Sequence, residues 1–193
     1  MVTSLRELTK AVLACTSCPL YTEGMPVVGN GPTTADVMFI GEAPGETEQR
    51  TGIPFSGRAG KLLNNQLLPL AGIERSQVRV TNTVLHRPPN NRDPSPEEIS
   101  ACKHWLDIQL ELVNPRVVIL LGHYAIEAVL GLKAAMKDVN GVFVRKDDRL
   151  YMMSIHPAAA LHQASNRKLL VESFSSLGRV LNVIGRKEHG NQD

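Results

Sequence analysis

Residues 36–60 read D-V-M-F-I-G-E-A-P-G-E-T-E-Q-R-T-G-I-P-F-S-G-R-A-G, and they constrain the fold more than any other stretch. Val37-Met38-Phe39-Ile40 is apolar at every position, the length and residue type of a buried strand. Gly41-Glu42-Ala43-Pro44-Gly45 follows at once. Two glycines and a proline stop the strand and force a tight turn. In α/β folds the loop at the carboxyl end of a parallel strand is where ligands bind. This loop carries three carboxylates, Glu42, Glu46 and Glu48, and then Phe55 between Pro54 and a glycine-rich segment. One reading is a strand followed by an acidic, solvated loop. The other is a pocket that positions a water and stacks a flat ring.

The rest of the chain alternates between strand-like and helix-like patterns. Helices are expected over 4–13, 57–70, 96–113 and 166–184, with a short one ending at Leu130. Further strands are expected over 78–82, 116–121 and 151–155. Ser4 with Glu7, and Ser95 with Pro96 and Glu98, are helix-start signals. Asn140-Gly141 reads as a turn between short extended pieces. This alternation predicts a three-layer α/β/α sandwich around a central four-stranded parallel sheet. The whole chain, 1–193, reads as one domain, with a polar tail from about 187. With 193 residues and 42% hydrophobic content it can bury a full core. No apolar run approaches a membrane span.

The first eight residues are polar and amphipathic, not a secretory signal, so a cytoplasmic setting is expected. There, three cysteines read as metal ligands or free thiols. Cys15-Thr16-Ser17-Cys18 can clamp a metal, because both thiolates converge from one turn. By itself it fits zinc, an iron–sulfur centre or a redox pair. The net charge of +2 does not demand a nucleic-acid partner. Arg87, Arg92, Arg167 and Lys168 form local basic clusters that also suit a solvated surface.

Taken in order, G-E-A-P-G-x-x-E (41–48), P-F-x-G-x-A-G (54–60), T-N-x-V (81–84), R-P-P-x-N-R (87–92) and H-P-A-A (156–159) resemble the family 4 uracil-DNA glycosylases. The likeness runs from Cys15 to about Leu181. It implies a monofunctional hydrolase that removes uracil from single- or double-stranded DNA; a monomer is expected. The ring of Phe55 would stack on the base, and the backbone at Ala43 would touch it. The Asn82 amide would read the uracil edge. His156 would donate to O2 as negative charge develops there. Glu42 is the first choice for orienting the attacking water, with Glu46 and Glu48 as second choices. Phosphate contacts are expected from Ser56, Arg58, Arg87, Arg92 and Arg167, and Leu161 would be the wedge replacing the flipped base.

The same resemblance implies a 4Fe–4S cluster held by four cysteines. Cys15, Cys18 and Cys102 match three of them, and His86 stands at the fourth position. A cluster with Cys15, Cys18, His86 and Cys102 as ligands is the leading expectation. Zinc in a Cys3His site is the alternative, and a site without metal is the third. The covalent uracil-binding family X also has a histidine near this point, but with a basic K-R-R-I-H insertion that this chain lacks. The other functional readings are a uracil-DNA binding or covalent-capture protein with little turnover, and a glycosylase with a shifted base preference such as hypoxanthine.

Overall fold

The computed structural model describes residues 2–185, and the polar tail expected from about 187 lies outside them. Strand β1 (Val37–Gly41) is buried at every residue. Its side chains alternate, with Val37 and Phe39 in one core and Met38 and Ile40 in another. A strand apolar on both faces must be covered on both, and this one occupies an inner position of the sheet. It pairs in parallel with β2 (Val78–Asn82) and β3 (Val117–Leu121), with Phe39 opposite Val80 and Ile119. Strand β4 (Phe143–Lys146) runs antiparallel to β5 (Arg149–Ser154), and β5 lies parallel to β3. Among the described residues the sheet order is β2-β1-β3-β5-β4. The four parallel strands are those the sequence predicts; β4 adds an antiparallel edge. The last parallel strand also starts earlier than expected and ends at Ser154.

Helix α1 (Leu5–Leu13) is capped by the Ser4 hydroxyl, which accepts from Glu7 N–H at 3.2 Å. Residues 46–51, expected as loop, form helix α2 (Glu46–Thr51). The predicted helix over 57–70 is α3 (Arg58–Leu62), a π turn at Leu63–Leu67, and α4 (Leu68–Leu70). Pro69 has no N–H to return to the preceding turn, which fits the wider winding there. Helix α5 (Pro96–Val113) starts in a reciprocal capping box between Ser95 and Glu98. Then come α6 (His123–Leu130), α7 (Met136–Val139) and α8 (Ala164–Ile184).

The α3–α4 run and α8 cover one face of the sheet, where Phe39 stacks on Phe174 with ring centroids 6.0 Å apart. Helices α5 and α6 cover the other, against Met38, Ile40, Val118 and Leu120. A smaller third core joins α1 to the start of α5 through Leu8, Val12, Leu20, Leu85 and Cys102. Together these layers are the α/β/α sandwich that the strand–helix alternation predicts.

Candidate active site

The carboxyl ends of the parallel strands open on one side of the sheet, and a cavity of about 730 Å3 lies there. Glu42 enters it after β1, Gly122 and His123 after β3, and His156 after β5. Gly41 pairs with Asn82 at the last register position. The two segments stay joined past the strands. The Thr83 N–H and hydroxyl both donate to the Gly41 carbonyl, at 2.8 and 2.9 Å, and Val84 N–H donates to the Glu42 carbonyl at 3.1 Å. Glu42 therefore leaves the sheet at a fixed point. Burial, and then the Asp93 carboxylate, push its carboxyl up to about 7.

Phe55 has an unusual backbone conformation, with φ at +57°. Its carbonyl accepts from the Asn64 amide at 3.3 Å. Gly60 passes so close to that carbonyl that a side chain there would collide with it. This accounts for the spacing P-F-x-G-x-A-G in physical terms. The Phe55 ring lies 5.7 Å from the His156 ring, centroid to centroid. Its edge and the Asn82 amide both press on Gly41. Phe55 and Asn82, 5% and 2% exposed, do not line the cavity as it stands; Phe55 adjoins it through the His156 ring.

His156 presents a defined tautomer. Its Nδ1 accepts from Ala158 N–H at 3.1 Å, so the proton of the neutral ring is on Nε2. Burial pushes its pKa down to about 4, and at neutral pH the ring is an uncharged donor through Nε2.

The remaining predicted residues divide. Ala43, Glu46, Arg58 and Leu161 line the cavity. Glu48 lines it too, but its Oε1 accepts from Gly57 N–H at 3.0 Å and ties α2 to the turn that carries Phe55. The Ser56 hydroxyl donates to the Ile53 carbonyl at 2.9 Å. The Arg92 guanidinium is paired with the buried Glu98 at 2.6 and 2.9 Å. Arg87 lies in a separate cleft, donating to Asn91 at 2.7 Å, and Arg167 donates to Gln66 at 2.5 Å. Sequence reasoning missed Asp93, Tyr124, Met136 and Lys137. His123 had one usable signal, its place directly after the glycine that ends the third strand.

Cys15, Cys18, His86 and Cys102 line one small cavity between α1, the proline-rich segment and α5. Among the described residues no three His, Cys, Asp or Glu side chains are arranged to hold a metal as they stand. The donor set nevertheless suits a thiolate-bound centre. The Trp105 indole N–H donates to Cys15 Sγ at 3.3 Å, a contact that stabilises a thiolate. Burial pushes the pKa of His86 down, leaving a neutral ring able to ligate. Burial also pushes the Cys102 thiol up to about 12, so a thiolate there needs a nearby cation.

The family model described as the uracil DNA glycosylase superfamily matches residues 28–178. The chain is 38% identical to a type-4 uracil-DNA glycosylase of Sulfurisphaera tokodaii, over 90% of this chain and 83% of that protein. It is 40% identical to the type-4 enzyme of Thermotoga maritima, over 86% and 89% of the two chains. With the type-4 enzyme of Archaeoglobus fulgidus the identity is 36%, over 96% of each. Fold, strand-end cavity and matched length agree: the chain belongs to the uracil DNA glycosylase superfamily, with type-4 enzymes as relatives along most of its length.

Proposed function

We propose that the chain hydrolyses the N-glycosidic bond of uracil in DNA and leaves an abasic site. The observation that supports it best is one cavity holding both a raised carboxyl, Glu42, and a neutral imidazole with its proton on Nε2, His156. Such a cavity accepts a nucleotide swung out of the stack. Phe55, next to His156, offers the ring on which uracil stacks. The Asn82 carboxamide has both a donor and an acceptor, which suits O4 and N3–H of uracil and mismatches cytosine. As the bond breaks, negative charge grows on O2, and the His156 Nε2–H donates to it without giving up its proton. The sugar becomes cationic, and the Glu42 carboxylate stabilises it and orients the water. The Ala43 backbone touches the base. Glu46 stands at the cavity wall, and Glu48 holds the Phe55 turn.

Ser56, Arg58, Arg87, Arg92 and Arg167 are the proposed phosphate contacts, and Leu161 the wedge. Arg87 and Arg167 would exchange their internal partners for phosphate, whereas Arg92, still paired with Glu98, would meet it with the exposed part of its side chain. Cys15, Cys18, His86 and Cys102 would hold a 4Fe–4S cluster, with zinc as the alternative. When bound, the group supplies a cross-link between the N-terminus, the proline-rich segment and α5, and no step of the reaction runs through it. The protein acts as a monomer in the cytoplasm.

The test uses a labelled single-stranded oligonucleotide with one uracil. Alkali-dependent cleavage at that position is expected, with loss in both the Asn82→Ala and His156→Ala variants. Undiminished excision by both variants would remove these roles, and a slow band that survives denaturation would replace hydrolysis by covalent capture.

A further inference from the structure

Glu42 works among many charges. Glu46 and Glu48 face the cavity from α2, Arg58 from α3, and Arg92 from the proline-rich loop. His123 faces it from α6, Lys137 from α7, and His156 from the segment after β5. Two further polar groups join two of those walls. The Tyr124 hydroxyl, on the first turn of α6, donates to Asp93 Oδ2 at 2.9 Å across 31 residues of sequence. Asp93 stands on the proline-rich loop beside Arg92. That arginine does not serve as its counter-ion, because the guanidinium is held by Glu98 at 2.6 Å. One end of the loop is thus fastened through Arg92 to α5, and the next residue through Asp93 to α6.

We infer that Asp93, anchored by Tyr124, is a positioning residue for the reaction: it holds the proline-rich loop against α6 and places a second negative charge beside Glu42. The inference rests on the reading of Glu42 as the carboxylate of the reaction. Asp93 is exposed and Glu42 half-buried, and two negative charges within reach of each other disfavour one another, so Asp93 makes Glu42 keep its proton to higher pH. Burial is the larger cause of the upward displacement of Glu42 to about 7, and Asp93 is the second. Tyr124 itself stays protonated throughout, since burial and its bond to Asp93 push it up to about 12. The arrangement keeps a fraction of Glu42 neutral near pH 7, which eases the approach of anionic DNA. The ionised fraction is a stronger base for the water.

The experiment is a pH profile of single-turnover uracil excision for the parent protein, Asp93→Asn, Tyr124→Phe and Glu42→Gln. Asparagine keeps an acceptor for Tyr124 and removes only the charge. The midpoint of the acid limb is expected to fall by up to about one pH unit in Asp93→Asn, because burial remains. It should fall by less in Tyr124→Phe, where Asp93 loses its anchor. Direct titration of the Glu42 carboxyl carbon by NMR in the DNA-free proteins should show the same displacements, which a merely structural defect would not produce. If Asp93→Asn folds poorly, the Tyr124→Phe midpoint and titration decide instead. An unmoved midpoint alongside an inactive Glu42→Gln overturns the inference. An active Glu42→Gln overturns the role of Glu42 itself.

Discussion

Replacing Gly41 by alanine tests the geometry of the site with a single methyl group. An ideal Cβ at this position would stand 2.5 Å from Asn82 Oδ1, 2.7 Å from Phe55 Cζ and 2.9 Å from Phe55 Cε2. Ordinary contacts of these kinds lie at about 3.5 Å or more, so each neighbour must retreat by roughly 0.5–1 Å. Neither has an easy route. Both side chains are buried, 2% exposed for Asn82 and 5% for Phe55, and Phe55 is fixed further by the Gly60 approach and its own positive φ. Overpacking of this kind costs about 1–3 kcal/mol of stability, which lowers the melting temperature by roughly 2–12 °C in a chain of this size. The functional loss should be larger, because a displacement near 1 Å of a positioning group costs about 100-fold in rate. The assay is single-turnover excision at a temperature where circular dichroism shows the variant fully folded. The same variant with near-parental rate and melting temperature would refute the claim that Gly41 is the spacer between the Phe55 ring and the Asn82 amide, the groups proposed to stack on and read the base.

Other consequences follow from the same structure. Because burial raises the Glu42 carboxyl from 4.5 to about 7, its ionisation opposes folding. That part of the stability is present below pH 4.5 and lost as pH rises through 7. Glu42→Gln should therefore melt higher than the parent at pH 8 and level with it at pH 4, while losing activity. His156→Gln should lower the excision rate by about 100- to 1000-fold with little change in DNA affinity, as expected when a transition-state donor is misplaced. Because His156 ionises only near pH 4, the parental profile between pH 5 and 8 should show no limb from this group. Phe39→Ala, at a fully buried ring stacked on Phe174, should cost about 3–5 kcal/mol in denaturant titration. Anaerobically purified protein should contain iron and acid-labile sulfide. His86→Ala should lower that content, and zinc alone would replace the cluster reading by the tetrahedral one.

What the sequence disclosed depended on where each interaction is closed. Val37-Met38-Phe39-Ile40 and Val117–Leu121 are apolar on both faces, and a continuous apolar run this short, ending at a glycine, reads as a covered strand. The placement of Glu42 and His156 at one cavity was open to reading because each stands just past a strand, where an open α/β sheet places its ligands, while their roles came with the family resemblance. Strand β4 was not, since it is an edge whose Arg145 and Lys146 are exposed and blur the pattern. Helix α2 buries none of its residues fully. It is held by Glu48 on Gly57 and by Gln49 on the Glu23 carbonyl, so it has no hydrophobic period to read. The bond between Tyr124 and Asp93 joins the first turn of α6 to the proline-rich loop, a pairing set by topology alone. The commitment of Arg92 to Glu98 was hidden for a related reason, as a loop arginine looks the same whether it faces phosphate or a helix cap.

The inner position of β1 has a bearing on how the molecule comes into being. Val37 pairs with Val78 and with Val117, partners about 40 and 80 residues further along the chain. Contacts so distant form late, after the entropy of closing long loops has been overcome. As the chain emerges from the ribosome, the turn that bears Glu42 has one flanking strand only after residue 82 and both only after residue 121. His156 arrives later still. A nascent or truncated chain lacking β5 therefore carries the Glu42 carboxylate without the His156 imidazole, and the cavity the two share takes shape only once β5 is in place.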